Sequence, residues 1–139
     1  MAENLYTNKA MMEQLDEFLL EVQKPSRYIG GEHGAVIKDK SKVDIRFAFC
    51  FPDTYEIGMS HLGMKILYGL KNAVPNYWCE RVFMPLPDME EQMRARNIPL
   101  YALESLDPIK EFDFIGFTLQ YEMSFTNVCL LYTSDAADE

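Results

Sequence analysis

Positive charge is scarce in this chain. Thirteen lysines and arginines face 22 aspartates and glutamates, a formal net charge of −9 over 139 residues. A nucleic-acid surface needs a basic patch, so direct nucleic-acid binding is not expected. Cysteine and histidine are rare too. Cys50, Cys79 and Cys129 stand at unrelated spacings and suggest neither a disulfide framework nor a zinc site. His33 and His61 have no second ligand at metal-binding spacing, so a metal site is not expected. No apolar run approaches the roughly 18 residues that span a bilayer. The opening MAENLYTNKAMMEQ lacks a basic segment followed by an apolar one, the pattern of a secretory signal. A cytoplasmic, reducing compartment is the expectation. Walker-type loops, Gly-x-Gly-x-x-Gly and a Ser/His/Asp set are all missing, and nothing points to catalysis by this chain alone.

What is present is a substantial apolar fraction, 48% of residues, enough for the core of one ordinary domain. The most informative stretch is Val43 to Leu70. Val43–Phe51 is nearly all apolar, as in a parallel strand covered on both faces. A polar turn opens with Pro52-Asp53. Ser60–Asn72 then carries Leu62, Ile66, Leu67 and Leu70 as a helical stripe. Upstream, Met12, Leu15, Leu19 and Val22 mark an amphipathic helix over Ala10–Val22, capped by Thr7 or Asn8 and stopped by Pro25. Lys24–Lys42 reads as a loop or short hairpin, too polar for the core.

Downstream, Trp78–Phe83 reads as a strand and Pro87–Arg96 as a helix with Met89 and Met93 one turn apart. Leu100–Leu103 is a short strand candidate, Pro108–Glu111 a helical turn, Phe112–Leu119 the last clear strand, and Glu122 onward helical. Strands alternating with helices predict an α/β fold with a mostly parallel sheet and right-handed crossovers. The domain organisation expected is an N-terminal helix and polar loop (1–42), the α/β domain (43–128) and a tail (129–139).

Ligands of such sheets lie beyond the carboxyl ends of the strands. The loops there are Pro52–Ser60 and Gln120–Ser124. Asp53, Thr54 and Tyr55 offer an acceptor, a hydroxyl and a phenol. Gly58 and Gly63 permit close backbone approach. Ser60 is placed to cap the helix and leave its amides facing a ligand. Asp53 and Ser60 serve equally well to satisfy the turn and the helix start. Cys50 and Cys79 read as small buried hydrophobes, and Glu90, Glu91 and Arg94 as a solvated helix face.

Four blocks in order carry a resemblance: PSRYIGGE from Pro25, RFAFCFPDTYEIGMSHLGMKILYGL from Arg46, WCERVFMPLPDMEEQMR from Trp78, and LESLDPIKEFDFIGFTLQYEMSFTN from Leu103. Over about Lys24–Val128 the chain resembles the N-terminal region of B12-binding-domain-containing radical SAM proteins. The resemblance implies an incomplete flavodoxin-like, cobalamin-binding-like sheet with flanking helices. It implies cobalamin as a small-molecule cofactor, held around Asp53–Gly63 with Gln120, Tyr121 and Glu122 in the adjacent loop. It further implies a partner in cis: a C-terminal barrel with a [4Fe–4S] cluster and S-adenosylmethionine, whose C-x3-C-x2-C cysteines do not occur here.

Cobalamin domains that replace the lower axial base carry D-x-H-x-x-G after the first strand. Asp53 and Gly58 match this pattern, but Tyr55 stands at the histidine position, and a phenol with a pKa of ~10 is a poor cobalt ligand. The runner-up is a non-catalytic docking module that has lost cobalamin. A receiver or flavin domain is disfavoured, since the phosphoacceptor Asp and a Ser/Thr/Gly-rich flavin loop are missing. The stretch CLLYTSDAADE, Cys129–Glu139, resembles a translated sequencing adapter and is expected to be non-native. A sheet cut short leaves apolar faces uncovered, so the isolated chain is expected to be poorly soluble or partly unfolded.

Overall fold

The computed structural model describes residues 7–120 and 122–129. Strands β1 (Ile45–Phe51), β2 (Tyr77–Phe83) and β3 (Phe114–Phe117) form one open, all-parallel sheet in the order β2-β1-β3. Ile45 pairs with Tyr77 at one end of β1 and Cys50 with Phe117 at the other, so the three strands end on one rim. This is the arrangement of an incomplete flavodoxin-like α/β fold: the strand–helix alternation predicts the parallel sheet, and the resemblance implies the flavodoxin-like type.

Side-chain alternation divides the sheet. Phe49 and Phe51 pack with Cys79, Phe83 and Leu103 beneath Met64 and Tyr68 of α3 (Leu62–Asn72). On the other face, Ala48, Cys50 and Val82 meet Met11 and Leu15 of α1 (Lys9–Asp16) and Met89 and Met93 of α4 (Pro87–Ala95). Asn8 caps α1, accepting from Met11 N at 3.1 Å. Helix α1 stops at Asp16, well before Pro25, and a 3-10 turn at Leu19–Glu21 continues the chain. Met11 rather than Met12 is buried. Pro87 opens α4, its missing N–H falling where a helix has no acceptor anyway. Asn97 beyond its end takes φ +53, the left-handed conformation that asparagine tolerates.

Four expectations need correction. The 52–60 stretch read as a loop contains a short helix, α2 (Tyr55–Ser60), joined at His61 to α3, which is the helix read over Ser60–Asn72. The stripe Leu62, Ile66, Leu67 and Leu70 does not dock on the sheet; all four are exposed, and Met64 and Tyr68, one turn apart, make the contact. The 100–103 segment forms only an isolated antiparallel bridge, Tyr101 with Pro108.

Finally, residues 24–42 are not merely a polar loop. Tyr28 is buried, Trp78 Nε1 donates to Val36 O (2.8 Å), and Val36 N donates to Tyr68 Oη (2.8 Å). Gly30 takes φ +64, and a Cβ there would lie 2.2 Å from Leu103 O, so only glycine lets the segment press so close.

Candidate functional site

The rim is built from the loops that follow Phe51, Phe83 and Phe117. Asp53 folds its own turn: its N–H donates to Phe51 O (2.8 Å) and its Oδ1 accepts from Thr54 N (2.7 Å). Its carbonyl accepts from Met84 N (3.1 Å), which laces the loop after β1 to the loop after β2. Thr54 precedes α2 without a side-chain cap bond. Tyr55 lies edge-on to Phe83, ring centroids 5.5 Å apart. Its phenol is pushed up to about 12, by burial first and by the neighbouring Glu32 carboxylate second.

The two glycines serve packing. A Cβ at Gly58 would sit 2.1 Å from Phe83 Cε1 and 3.1 Å from Phe51 Cδ1, so glycine is what lets α2 rest on those rings. A Cβ at Gly63 would meet His61 Cε1 at 3.0 Å. Ser60 does not cap α3. Its hydroxyl donates back to Glu56 O, while His61 Nδ1 accepts from Met64 N at 3.1 Å. Gln120 and Glu122 are exposed beyond β3, and Tyr121 lies outside the described residues. Asn127 Nδ2 donates to Pro52 O (2.9 Å), bringing the helical residues 124–129 to the first loop. Asp53, Thr54 and Tyr55 thus share the rim, Gly58 sits between Phe51 and Phe83, and Ser60 and Gly63 flank the α2–α3 junction.

Beside Tyr55 lies a charge cluster that the residue pattern does not advertise. Arg81 of β2, with its side chain 8% exposed, donates through Nε to Glu104 Oε1 (2.6 Å) and through Nη2 to Glu32 Oε2 (3.0 Å). Its guanidinium also stacks 4.8 Å from the Tyr68 ring. Glu104 further accepts from Arg81 N (2.7 Å) and Tyr68 Oη (3.0 Å). Burial raises Glu104 above the usual carboxylate range, opposed chiefly by Arg81. The preceding residue in β2, Glu80, pairs with Arg46 (2.6 Å) and accepts from Ser105 N (3.0 Å). Burial lifts Glu80 to about 7 against the pull of Arg46. Together these carboxylates fasten the 103–105 turn along the outer edge of β2, where Leu103 N also donates to Arg81 O (2.9 Å). The signal available in sequence was Glu80-Arg81 in mid-strand, because charges in a covered strand must find partners.

Where β2 ends, a cavity of about 20 Å³ lies among Arg27, Tyr28, Thr54, Tyr55, Phe83 and Tyr101. Arg27 is held by Glu56, its Nε donating to Oε1 at 2.6 Å, and its buried Nη1 has no hydrogen-bond partner. A space this size takes one water-sized acceptor, not a corrin. The phenol of Tyr55, raised and packed on Phe83, does not fit the role of a cobalt ligand. A [4Fe–4S] cluster does not fit these residues either. Cys50 and Cys79 are buried within strands, and burial pushes the Cys79 thiol up to about 12, against the thiolate that iron requires. Among the described residues no group of three or more His, Cys, Asp or Glu could hold a metal ion, and no helix is long and apolar enough to cross a membrane.

Comparison with known proteins adds one finding. A family model described as the N-terminal region of radical SAM proteins matches residues 63–135. The match starts at α3, takes in β2, α4 and β3, and runs past Cys129 into the stretch expected to be foreign. The Asp53–Ser60 loop falls outside it. No curated protein and no solved structure matches the chain. With more than half of its length matched and the parallel sheet in place, the chain belongs to the radical SAM N-terminal family.

Proposed function

We propose that this domain is a non-catalytic docking and positioning module of a radical SAM enzyme, working in the cytoplasm. The [4Fe–4S] cluster and S-adenosylmethionine belong to a barrel carried elsewhere in the same polypeptide, and that barrel generates the radical. The observation that carries the reading is how the loop after β1 is spent. Asp53 is laced to Met84, Tyr55 is stacked on Phe83, and the face of Gly58 is filled by rings. Groups that a corrin ligand loop would present are consumed in joining β1 to β2. What remains is a rigid wall suited to orienting a neighbour.

The test is removal of residues 1–128 from the full-length enzyme. Cluster assembly and reductive cleavage of S-adenosylmethionine should persist while substrate affinity collapses. Unchanged substrate affinity would overturn the proposal.

A second reading, cobalamin binding, draws support from the strand order. In a β2-β1-β3 sheet the crevice opens between β1 and β3, away from the laced side. There Thr118 Oγ1 is buried without a hydrogen-bond partner, a polar atom left for a ligand. Asp53, Thr54, Gln120 and Glu122 are the residues that would border a corrin on that side, with no protein ligand to cobalt. Incubation of the full-length enzyme with hydroxocobalamin decides between the readings: stoichiometric corrin absorbance after desalting favours the second, and its absence favours the first.

A further inference from the structure

We infer that the cavity beside Arg27 receives a single carboxylate oxygen, brought by a small free carboxylate or by an acidic side chain from another part of the polypeptide. This chain's own residues carry the inference, with or without a radical SAM barrel.

Arg27 closes a 3-10 turn, Pro25–Arg27, and its side chain is 12% exposed. Glu56 takes one flank of the guanidinium: its Oε1 accepts from Nε at 2.6 Å and also pairs with Nη2. Lys24 Nζ leans on that same oxygen at 3.5 Å, so one half-exposed carboxylate answers two cations. Asp88, the other carboxylate whose field reaches Tyr28, accepts from Gln23 N (2.7 Å). Arg27 Nη1 is left buried without a hydrogen-bond partner. A guanidinium nitrogen only donates, and a charged donor kept from water and unpaired is costly. The missing group is therefore an acceptor.

The hydroxyls of the cavity point to the same chemistry. Thr54 makes no side-chain bond in capping α2. Tyr28 Oη accepts from Leu86 N (3.3 Å), which leaves its own hydrogen to give. Tyr101 Oη is already committed, donating to Tyr28 O (2.9 Å). Phe83, Met84, Leu100 and Leu103 complete the walls. A water must place two hydrogens among groups that chiefly donate. A carboxylate oxygen brings lone pairs and no hydrogen, and its charge-assisted bond to a guanidinium is about twice as strong as a neutral one. The volume, about 20 Å³, admits one oxygen. The body of the molecule that carries it stays outside. The site is thus a point of attachment, distinct from a cofactor seat, which the strand order puts on the β3 side.

Two measurements on the full-length enzyme test the inference. The first titrates isotope-labelled formate and reads its carbon NMR linewidth. If a free carboxylate is the source, formate should broaden several-fold more with the parent enzyme than with Arg27→Gln. If a side chain is the source, the cavity is already filled and formate stays sharp. The second measurement then identifies the side chain. Arg27→Lys with Glu56→Gln sets an amine at the cavity and removes the carboxylate beside it. Carbodiimide coupling should join that amine to one Asp or Glu outside the described residues, found by peptide mass spectrometry. Equal broadening with the parent and Arg27→Gln overturns the inference. So does sharp formate with no such amide, which leaves the cavity to a water. Should Arg27→Gln lose the far-UV spectrum of the parent, Arg27→Lys alone decides. It keeps the charge, so it should still broaden formate or form the amide, and failure of both overturns the inference.

Discussion

Replacing Arg81 by methionine tests the buried cluster most directly. The change keeps the volume of the stem and removes the charge that offsets two carboxylates. Glu104, with its side chain 0% exposed, loses its bond to Nε (2.6 Å) and retains only Arg81 N and Tyr68 Oη. Breaking a buried pair on one side costs about 3–5 kcal/mol, because the remaining charge is left uncompensated. Against a typical total of about 5–15 kcal/mol, and a urea dependence of about 1–3 kcal/mol per molar, the denaturation midpoint should fall by roughly 2 M. The deficit should narrow as pH falls. Burial already raises Glu104, Arg81 is the main influence lowering it, and without Arg81 the carboxyl protonates more readily. Adding Glu104→Gln removes the stranded charge yet still accepts from Arg81 N and Tyr68 Oη, so the double variant should recover most of the loss. Urea titration followed by circular dichroism measures all three proteins. An Arg81→Met midpoint within the equivalent of about 1 kcal/mol of the parent would put the cluster among ordinary surface pairs and refute the reasoning.

Three further outcomes follow from named contacts. Glu80 is raised from 4.5 to about 7, so between those values the folded state binds more protons than the unfolded one. Its contribution to stability is therefore full below about pH 4.5 and lost as pH rises through about 7, and Glu80→Gln should flatten that part of the stability–pH curve. Gly58→Ala drives a methyl into Phe83 and Phe51 and should cost about 1–3 kcal/mol, read as a lowered thermal midpoint; an unchanged midpoint would mean that α2 shifts freely. His61→Ala should cost about 1 kcal/mol in chemical denaturation through loss of the α3 cap, and Ser60→Ala clearly less. Equal costs would contradict the assignment of the cap to His61.

The sheet was legible because its signals are local. The apolar run ending at Phe51, Pro87 at a helix start, and the spacing of Met89 and Met93 each state their element without long-range help. What was not legible depends on partners distant in sequence. Polarity made 24–42 look peripheral, yet Trp78, Tyr68 and Leu103 draw it onto the sheet. The apolar stripe of α3 predicted the wrong buried face, because periodicity reports which residues avoid water and not which neighbour covers them. Ser60 had the composition of a cap, but the chain turns one residue later, and histidine can accept from an amide as well as serine does. Asp53, Thr54 and Tyr55 were placed at the rim, as the strand–loop–helix pattern required; which way Tyr55 turns is decided by Phe83, which no local pattern relates to it.

The rim has two unlike halves, and the difference follows from which strands are paired by early crossovers. Between β1 and β2 a backbone bond from Met84 to Asp53, the Tyr55–Phe83 contact and the Gly58 close approach leave a space no larger than a water. Between β1 and β3, Thr118 N donates to Cys50 O (3.2 Å), and the Thr118 hydroxyl just beyond keeps an unspent donor. On this strand order a ligand of the domain is expected to enter on the β3 side. A substitution there, such as Thr118→Val, should alter ligand or substrate affinity of the full-length enzyme while barely changing stability, since the buried hydroxyl makes no hydrogen bond to lose. A substitution on the β2 side, such as Tyr55→Phe, should leave affinity unchanged. The reverse pattern in a binding titration would move the site to the β1–β2 side and overturn the assignment made from strand order.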